Sequence, residues 1–297
     1  MKANGGELIK NLRKNMGISQ EELAQKLFMS QRKLSRIEAG EAELDILEFI
    51  TAFSVLGFPT EDFWIMHLTY EDFEGYTQYI QMRRLLRNGD MEGIRSSYPQ
   101  FKQTSLMKRS FMSQFASYIG LIVDDTMPPE DKLRELYSAL KLTLTQFEYE
   151  KIDRYRLSYN EVLIINEIAL LYSRQGDDSK AIALLSGIAQ SADKSRMTDE
   201  ERRLLLPKPL VDLCKLLLKT GKYEKAVKIC ESALNQSRLY VNYRFAPEIV
   251  YTMGICYQKM GKSPGEYMPM FKRAYHAARG AERHSLANMI RQEHGAL

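Results

Sequence analysis

"SQEELAQKLFMSQRKLSRIEAG", residues 19–40, carries two polar-capped helical patterns in succession. Ser19 with Glu22 three residues on is a capping-box spacing, and Leu23, Ala24 and Leu27 then fall on one helical face. Ser30 can cap a second helix, with Leu34 and Ile37 as its buried side and Gly40 as its stop. Gln31, Arg32, Lys33, Ser35 and Arg36 gather on the other side. Two short helices in this order form a helix-turn-helix, whose second helix enters the DNA major groove.

Charge is distributed to match. The whole chain of 297 residues has a formal net charge of +4. Residues 1–66 hold eight Lys or Arg against ten Asp or Glu, so the region around the motif is not basic in total. Residues 9–36, however, hold seven cations and two acids, while residues 38–62 hold seven acids and no cation. Phosphate binding needs a local positive face rather than a basic sum. A mixed solvated surface is the usual fate of charges, but here the segregation coincides with the motif.

Outward from this segment, the N-terminal region reads as five helices over about 5–16, 19–26, 30–38, 45–56 and 60–66. "LGFPTEDFW" (56–64) closes it, with Phe53, Phe58, Phe63 and Trp64 sealing its small core. Beyond residue 70 there is almost no strand signal. Paired amphipathic helices are broken by "RNGD" (87–90), "TMPP" (126–129), "RQGDD" (174–178), "KTGKY" (219–223) and "KMGKS" (259–263). Gly176, Gly221 and Gly261 recur 45 and 40 residues apart, a period that marks a stacked helical solenoid. About five hairpins fit between 70 and 297, with 281–294 as a closing helix. The chain has no apolar run of membrane-spanning length and no secretory signal pattern at its start. Cys214, Cys230 and Cys256 lie within helical patterns without a CxxC pair, which predicts reduced thiols and a cytoplasmic protein. His67, His276, His284 and His294 lack metal-ligand spacing, and no phosphate-binding glycine loop or catalytic pairing stands out. Neither an enzyme nor a cofactor is expected.

Two resemblances follow. "GELIKNLRKNMGISQEELAQKLFMSQRKLSRIEAG" resembles the lambda-repressor-like (XRE-type) helix-turn-helix domain at Leu8, Ile9, Arg13, Gly17, Ser19, Gln20, Leu23, Ala24, Leu27, Ser30, Ser35, Arg36, Glu38 and Gly40. Phe28 departs from it, standing where such domains often have glycine, and "EAELD" (41–45) replaces the usual basic or proline-containing loop. Aligned on the glycines, Ala169, Tyr172, Gly176 and Ala181 are similar to a tetratricopeptide repeat. So are Gly221, Tyr223, Ala226 and Ala233, and Gly254, Tyr257 and Gly261; Cys214, Leu217 and Glu266 depart from the pattern. The combination resembles the Rgg/PlcR-like peptide-pheromone regulators of Gram-positive bacteria. That resemblance implies an all-α chain: a lambda-repressor-like five-helix DNA-binding domain (1–66), then a tetratricopeptide-like α-solenoid (67–297) for peptide binding and dimerisation.

In the XRE-like mode Ser19 and Gln20 would hold a phosphate, with Arg13 and Lys14 as further phosphate candidates. Gln31 and Arg32 are the expected readers of base edges, adenine and guanine respectively. Arg36 reaches a base or a phosphate, Ser30, Lys33 and Ser35 complete the surface, and Glu38 pairs internally with Arg13. In the solenoid, first helices line the inner wall. Asn166, Leu170 and Arg174, then Lys208, Val211 and Lys215, then Tyr251 and Ile255 are the expected peptide contacts. The asparagine would read peptide backbone and the cations an anionic group, although Glu167 and Asp212 stand ready to neutralise those cations. The reading is a homodimeric transcriptional regulator of double-stranded DNA controlled by a short linear peptide. Its rivals are a ligand-independent dimeric repressor and an adaptor whose solenoid binds a folded partner.

Overall fold

Glycine or its substitute at the end of nearly every first helix organises this molecule. The computed structural model describes residues 5–57, 70–239 and 242–295. The chain divides into two compact units, residues 1–119 and 120–297. Among the described residues every regular element is helical. The expected fifth helix at 60–66, the side chains of Phe58, Phe63 and Trp64, and the 66/67 boundary lie outside the described residues.

The N-terminal part contains α1 (Gly5–Asn15), α2 (Gln20–Lys26), α3 (Gln31–Glu38) and α4 (Ile46–Val55). Ser19 caps α2 in a full capping box with Glu22, and Ser30 caps α3 through the Lys33 amide. Leu8, Ile9, Leu12, Leu23, Ala24, Leu27, Leu34, Phe49, Ala52, Phe53 and Leu56 form one core. The acids of 41–48 have local work: Asp45 and Glu48 make a capping box that starts α4. This accounts for Asp45 within the acidic run that replaces a basic loop.

The helices that follow are α5 (Tyr70–Asn88) packed with α6 (Met91–Lys102), then α7 (Ser110–Val123) and α8 (Pro129–Lys141), α9 (Tyr159–Arg174) packed with α10 (Asp178–Ser191), a short α11 (Asp199–Leu205) leading into α12 (Pro207–Lys219) packed with α13 (Tyr223–Leu239), and α14 (Ala246–Lys259) packed with α15 (Pro264–Gly280), closed by α16 (His284–His294). In the second unit, first helices touch in turn, α9 with α12 and α12 with α14, while each second helix packs on the next first helix. Such stepwise stacking is what a solenoid of hairpins requires. Ala169, Ala181, Cys214, Leu217, Ala226 and Ala233 are all buried, and Gly254 lets α14 approach Phe271 so closely that a Cβ would lie 2.6 Å from the ring. Glu266, which departs from the repeat pattern, is the capping-box partner of Ser263 at the start of α15. No helix among the described residues is long and apolar enough to cross a membrane.

Candidate nucleic-acid and peptide sites

The N-terminal end of α3 is the most open polar surface in the first domain's motif. Ser30, Gln31, Arg32, Lys33, Ser35 and Arg36 are all exposed, while Leu34 and Ile37 are fully buried beneath them. The core therefore fixes the helix and leaves its polar face outward. Lys33 Nζ pairs with Glu48 Oε1, and Arg36 lies 3.8 Å from Glu41, both well solvated. Arg32 and Gln31 have neither an ion pair nor a hydrogen bond among the described residues, and these two are the groups best placed to act on something outside the chain.

Behind this face lies a buried ion pair. Arg13 Nε donates to Glu38 Oε1 at 2.6 Å and Nη2 to Oε2 at 2.8 Å, while Nη1 donates to the Ile18 carbonyl at 2.8 Å. The expected Arg13–Glu38 pairing is present. The same geometry corrects the expectation that Arg13 binds phosphate, because its guanidinium is buried and its donors are turned inward. Gln20 Nε2 donates to Glu38 Oε2 at 2.7 Å, and the Ser19 amide donates to Glu22 at 3.0 Å. Both residues thus have internal partners at the end of α2 that was expected to hold a phosphate. Lys14 is exposed. Burial pushes the Glu38 carboxyl up, but hydrogen bonds from Arg13 and Gln20 and the Arg13 charge outweigh it and hold the group below the ordinary carboxylate range.

On the first helices of the solenoid, the structure brings Asn166, Lys208 and Asp212 together. Asn166 Nδ2 donates to Asp212 Oδ2 at 3.3 Å, and Lys208 Nζ sits 2.6 Å from both Asp212 oxygens. Asn166 Oδ1 is buried and accepts no hydrogen bond among the described residues. A buried acceptor left open beside a half-buried side chain is the kind of group a bound N–H would satisfy. The other expected wall residues fare differently. Arg174 lies 3.5 Å from Glu167, so two of the three wall cations have acidic partners, and the wall is less positive than the sequence implied. Val211 is 2% exposed; its place is in the core between helices, which corrects its assignment as a lining residue. Leu170 and Ile255 are half-buried and Lys215 is exposed.

Tyr251 is not an open aromatic platform. Its hydroxyl donates to Glu293 Oε2, and its ring packs 5.7 Å from Phe271 and 5.8 Å from His294. Burial and the Glu293 hydrogen bond both raise the phenol pKa. Glu293 and His294 come from α16, some forty residues along the chain, and no local pattern announces such a contact.

Residues 9–63 match the helix-turn-helix family HTH_3. The chain folds like three solved proteins over nearly its full length. Bacillus thuringiensis PlcR in complex with the peptide PapR7 and DNA matches with a TM-score of 0.75 and 19% identity, covering 97% of this chain and 98% of that one. Streptococcus thermophilus ComR in complex with DNA and its signalling peptide ComS matches at 0.64 and 19% identity, covering 97% and 98%. The SHP pheromone receptor Rgg2 of Streptococcus dysgalactiae matches at 0.60 and 15% identity, covering 98% of each chain. No curated protein matches this chain in a search by sequence. At these identities the likeness is one of fold: a helix-turn-helix domain followed by a helical-repeat region, as the sequence resemblances implied.

Proposed function

We propose that this protein is a homodimeric transcriptional regulator, acting in the cytoplasm, that binds double-stranded DNA through α3 and is controlled by a short peptide held on the first helices of its repeats. The exposed, unpaired Gln31 and Arg32 at the start of a rigidly seated α3 carry this reading. A forked guanidinium and a side-chain amide are the two groups suited to pairing both polar atoms of guanine and of adenine. One such helix reads few base pairs, so two half-sites and hence two copies are needed for useful specificity. Support for peptide control comes from the open Asn166 acceptor, and from PlcR and ComR, which share this fold and whose structures hold DNA and a peptide. Peptide binding would shift the population between forms that do and do not engage paired half-sites.

Binding-site selection on random duplex DNA tests the first half. Arg32→Ala and Gln31→Ala should each lose about 1–3 kcal/mol of discrimination at one base position while the thermal transition stays put. Recovery of an unchanged consensus by both variants would remove these residues from the reading surface.

A further inference from the structure

We propose that Phe28 is a specificity-determining DNA contact, its ring meeting the 5-methyl group of a thymine beside the bases read by Gln31 and Arg32. This rests on the DNA-binding role proposed above. The observation is a residue in the wrong place for folding. Phe28 has φ +54° and is 96% exposed. It occupies the position after α2 at which the Met29 amide returns to the Ala24 carbonyl at 3.0 Å, closing the helix. Equivalent left-handed positions at residues 17, 40, 57, 89, 176, 221 and 261 all carry glycine, and Glu282 is the other non-glycine with positive φ among the described residues. Left-handed backbone is strained for a bulky side chain and free for glycine. Leu27 and Met29 on either side turn into the core, while the ring at 28 is left outside any core among the described residues. Glycine here would relieve the strain and remove an exposed apolar ring together.

The surroundings say what the ring meets. Phe28 lies three residues before Gln31, within about 11 Å along any path of the backbone, so it flanks the reading end of α3. No acidic residue occurs between positions 23 and 37, whereas Lys26, Arg32, Lys33 and Arg36 do. Lys33 pairs with Glu48 and Arg36 lies near Glu41. That leaves Lys26 and Arg32 as the cations of this stretch without an ion pair among the described residues, and a second copy docked through Phe28 would bring these like charges together. DNA supplies the opposite charge, and in the major groove the one apolar group on a base edge is the thymine methyl, a partner that phenylalanine suits.

The test uses the full chain in lysate of its host cells, where any natural ligand is present, with selection from random duplex DNA. Wild type, F28A and F28G are then compared on the selected site and on copies in which each thymine in turn is replaced by uracil, which lacks the methyl. Wild type should lose about fourfold in affinity at one uracil position, the worth of one methyl-sized apolar contact. Both variants should bind the thymine site about fourfold more weakly and be indifferent to that uracil, and F28G should melt no lower than wild type. If wild type selects a sequence but responds to uracil as the variants do, Phe28 reads nothing and the inference falls alone. A uniform loss in the variants on every sequence, with a fall in oligomeric state, would assign Phe28 to a protein contact and also overturn it. If wild type selects no sequence, the DNA-binding reading fails and takes this inference with it.

Discussion

A Cβ at residue 6 would overlap the Ile37 carbonyl oxygen, so α1 crosses the end of α3 with room for hydrogen alone. Gly6→Ala should therefore destabilise the helix-turn-helix by about 3 kcal/mol, the upper end of ordinary overpacking, read as a fall in its denaturation midpoint. The Arg13–Glu38 pair acts from the same place, fixing α1 against α3 beneath the exposed polar face of α3. Removing one partner of such a buried pair costs about 3–5 kcal/mol, and Arg13→Ala should show this in urea unfolding. The pair also sets an acid limit. Glu38 is held below its ordinary value near 4.5 in the folded chain, so the unfolded chain takes up a proton first as pH falls. Its contribution is fully present above that value and is lost as pH drops through the folded pKa. Unfolding of wild type across pH 6 to 3 should show this loss, and Glu38→Gln should flatten that part of the profile. An unchanged slope in the variant would assign the acid sensitivity to other carboxylates.

At the scale of an element, the repeats share two devices. The first is the helix end: after Gly89, Gly176, Gly221 and Gly261, the next amide returns to the carbonyl five residues back at 2.8–3.1 Å. Glycine adopts the left-handed turn this closure needs without strain. The second device closes a hairpin at its open end. Arg196 Nη2 holds both oxygens of buried Glu161 at 2.8 and 2.9 Å, and its Nε donates to the Arg156 carbonyl at 2.8 Å. Arg283 Nη1 pairs with one oxygen of buried Glu248 and donates to the Arg244 carbonyl at 3.3 Å, while Asn242 donates to the Arg203 carbonyl at 2.7 Å in the hairpin between. Arg196→Ala leaves Glu161 buried with Thr143 and the Ser158 amide as its hydrogen-bond partners, and we expect a loss of about 2 kcal/mol, discounted because the arginine itself is half solvated. Glu161→Gln in the Arg196→Ala background should recover part of it, since no charge is then left behind. Thermal unfolding of the three variants decides between a charge clamp and mere packing.

The whole molecule is where the proposed control would be measured. Sedimentation of the full chain at micromolar concentration should give a dimer; a monomer there would deny the protein a second half-site. A peptide that fits the first-helix wall should raise the unfolding free energy by about 2.7 kcal/mol at a hundred times its dissociation constant. Asn166→Ala should weaken that peptide by about 1–3 kcal/mol if the amide oxygen accepts its backbone N–H. Because Arg174 and Lys208 already face Glu167 and Asp212, affinity should fall little as salt rises. A steep salt dependence would mean that the acids release those cations to the ligand.

Helix identity, helix ends and the pairing of helices belonged to the sequence alone. Ser19 and Ser30 before apolar runs, and glycine at 89, 176, 221 and 261, act through the nearest few residues, so their effect is written locally. The outward polar face of α3 was equally readable, since burial of Leu34 and Ile37 fixes it. Tertiary structure alone decided which polar groups remain free. Arg13 and Val211 were drawn inward and Tyr251 was engaged by Glu293 and His294 of the last helix, whereas Arg174 and Lys208 met acids of their own helices, Glu167 and Asp212, which the sequence already set beside them. A charge or an amide is open or satisfied according to partners that packing brings from other helices, and a linear pattern holds no record of those distances. Phe28 was visible in both. The sequence showed a ring where glycine is usual, and the fold leaves it exposed among the described residues.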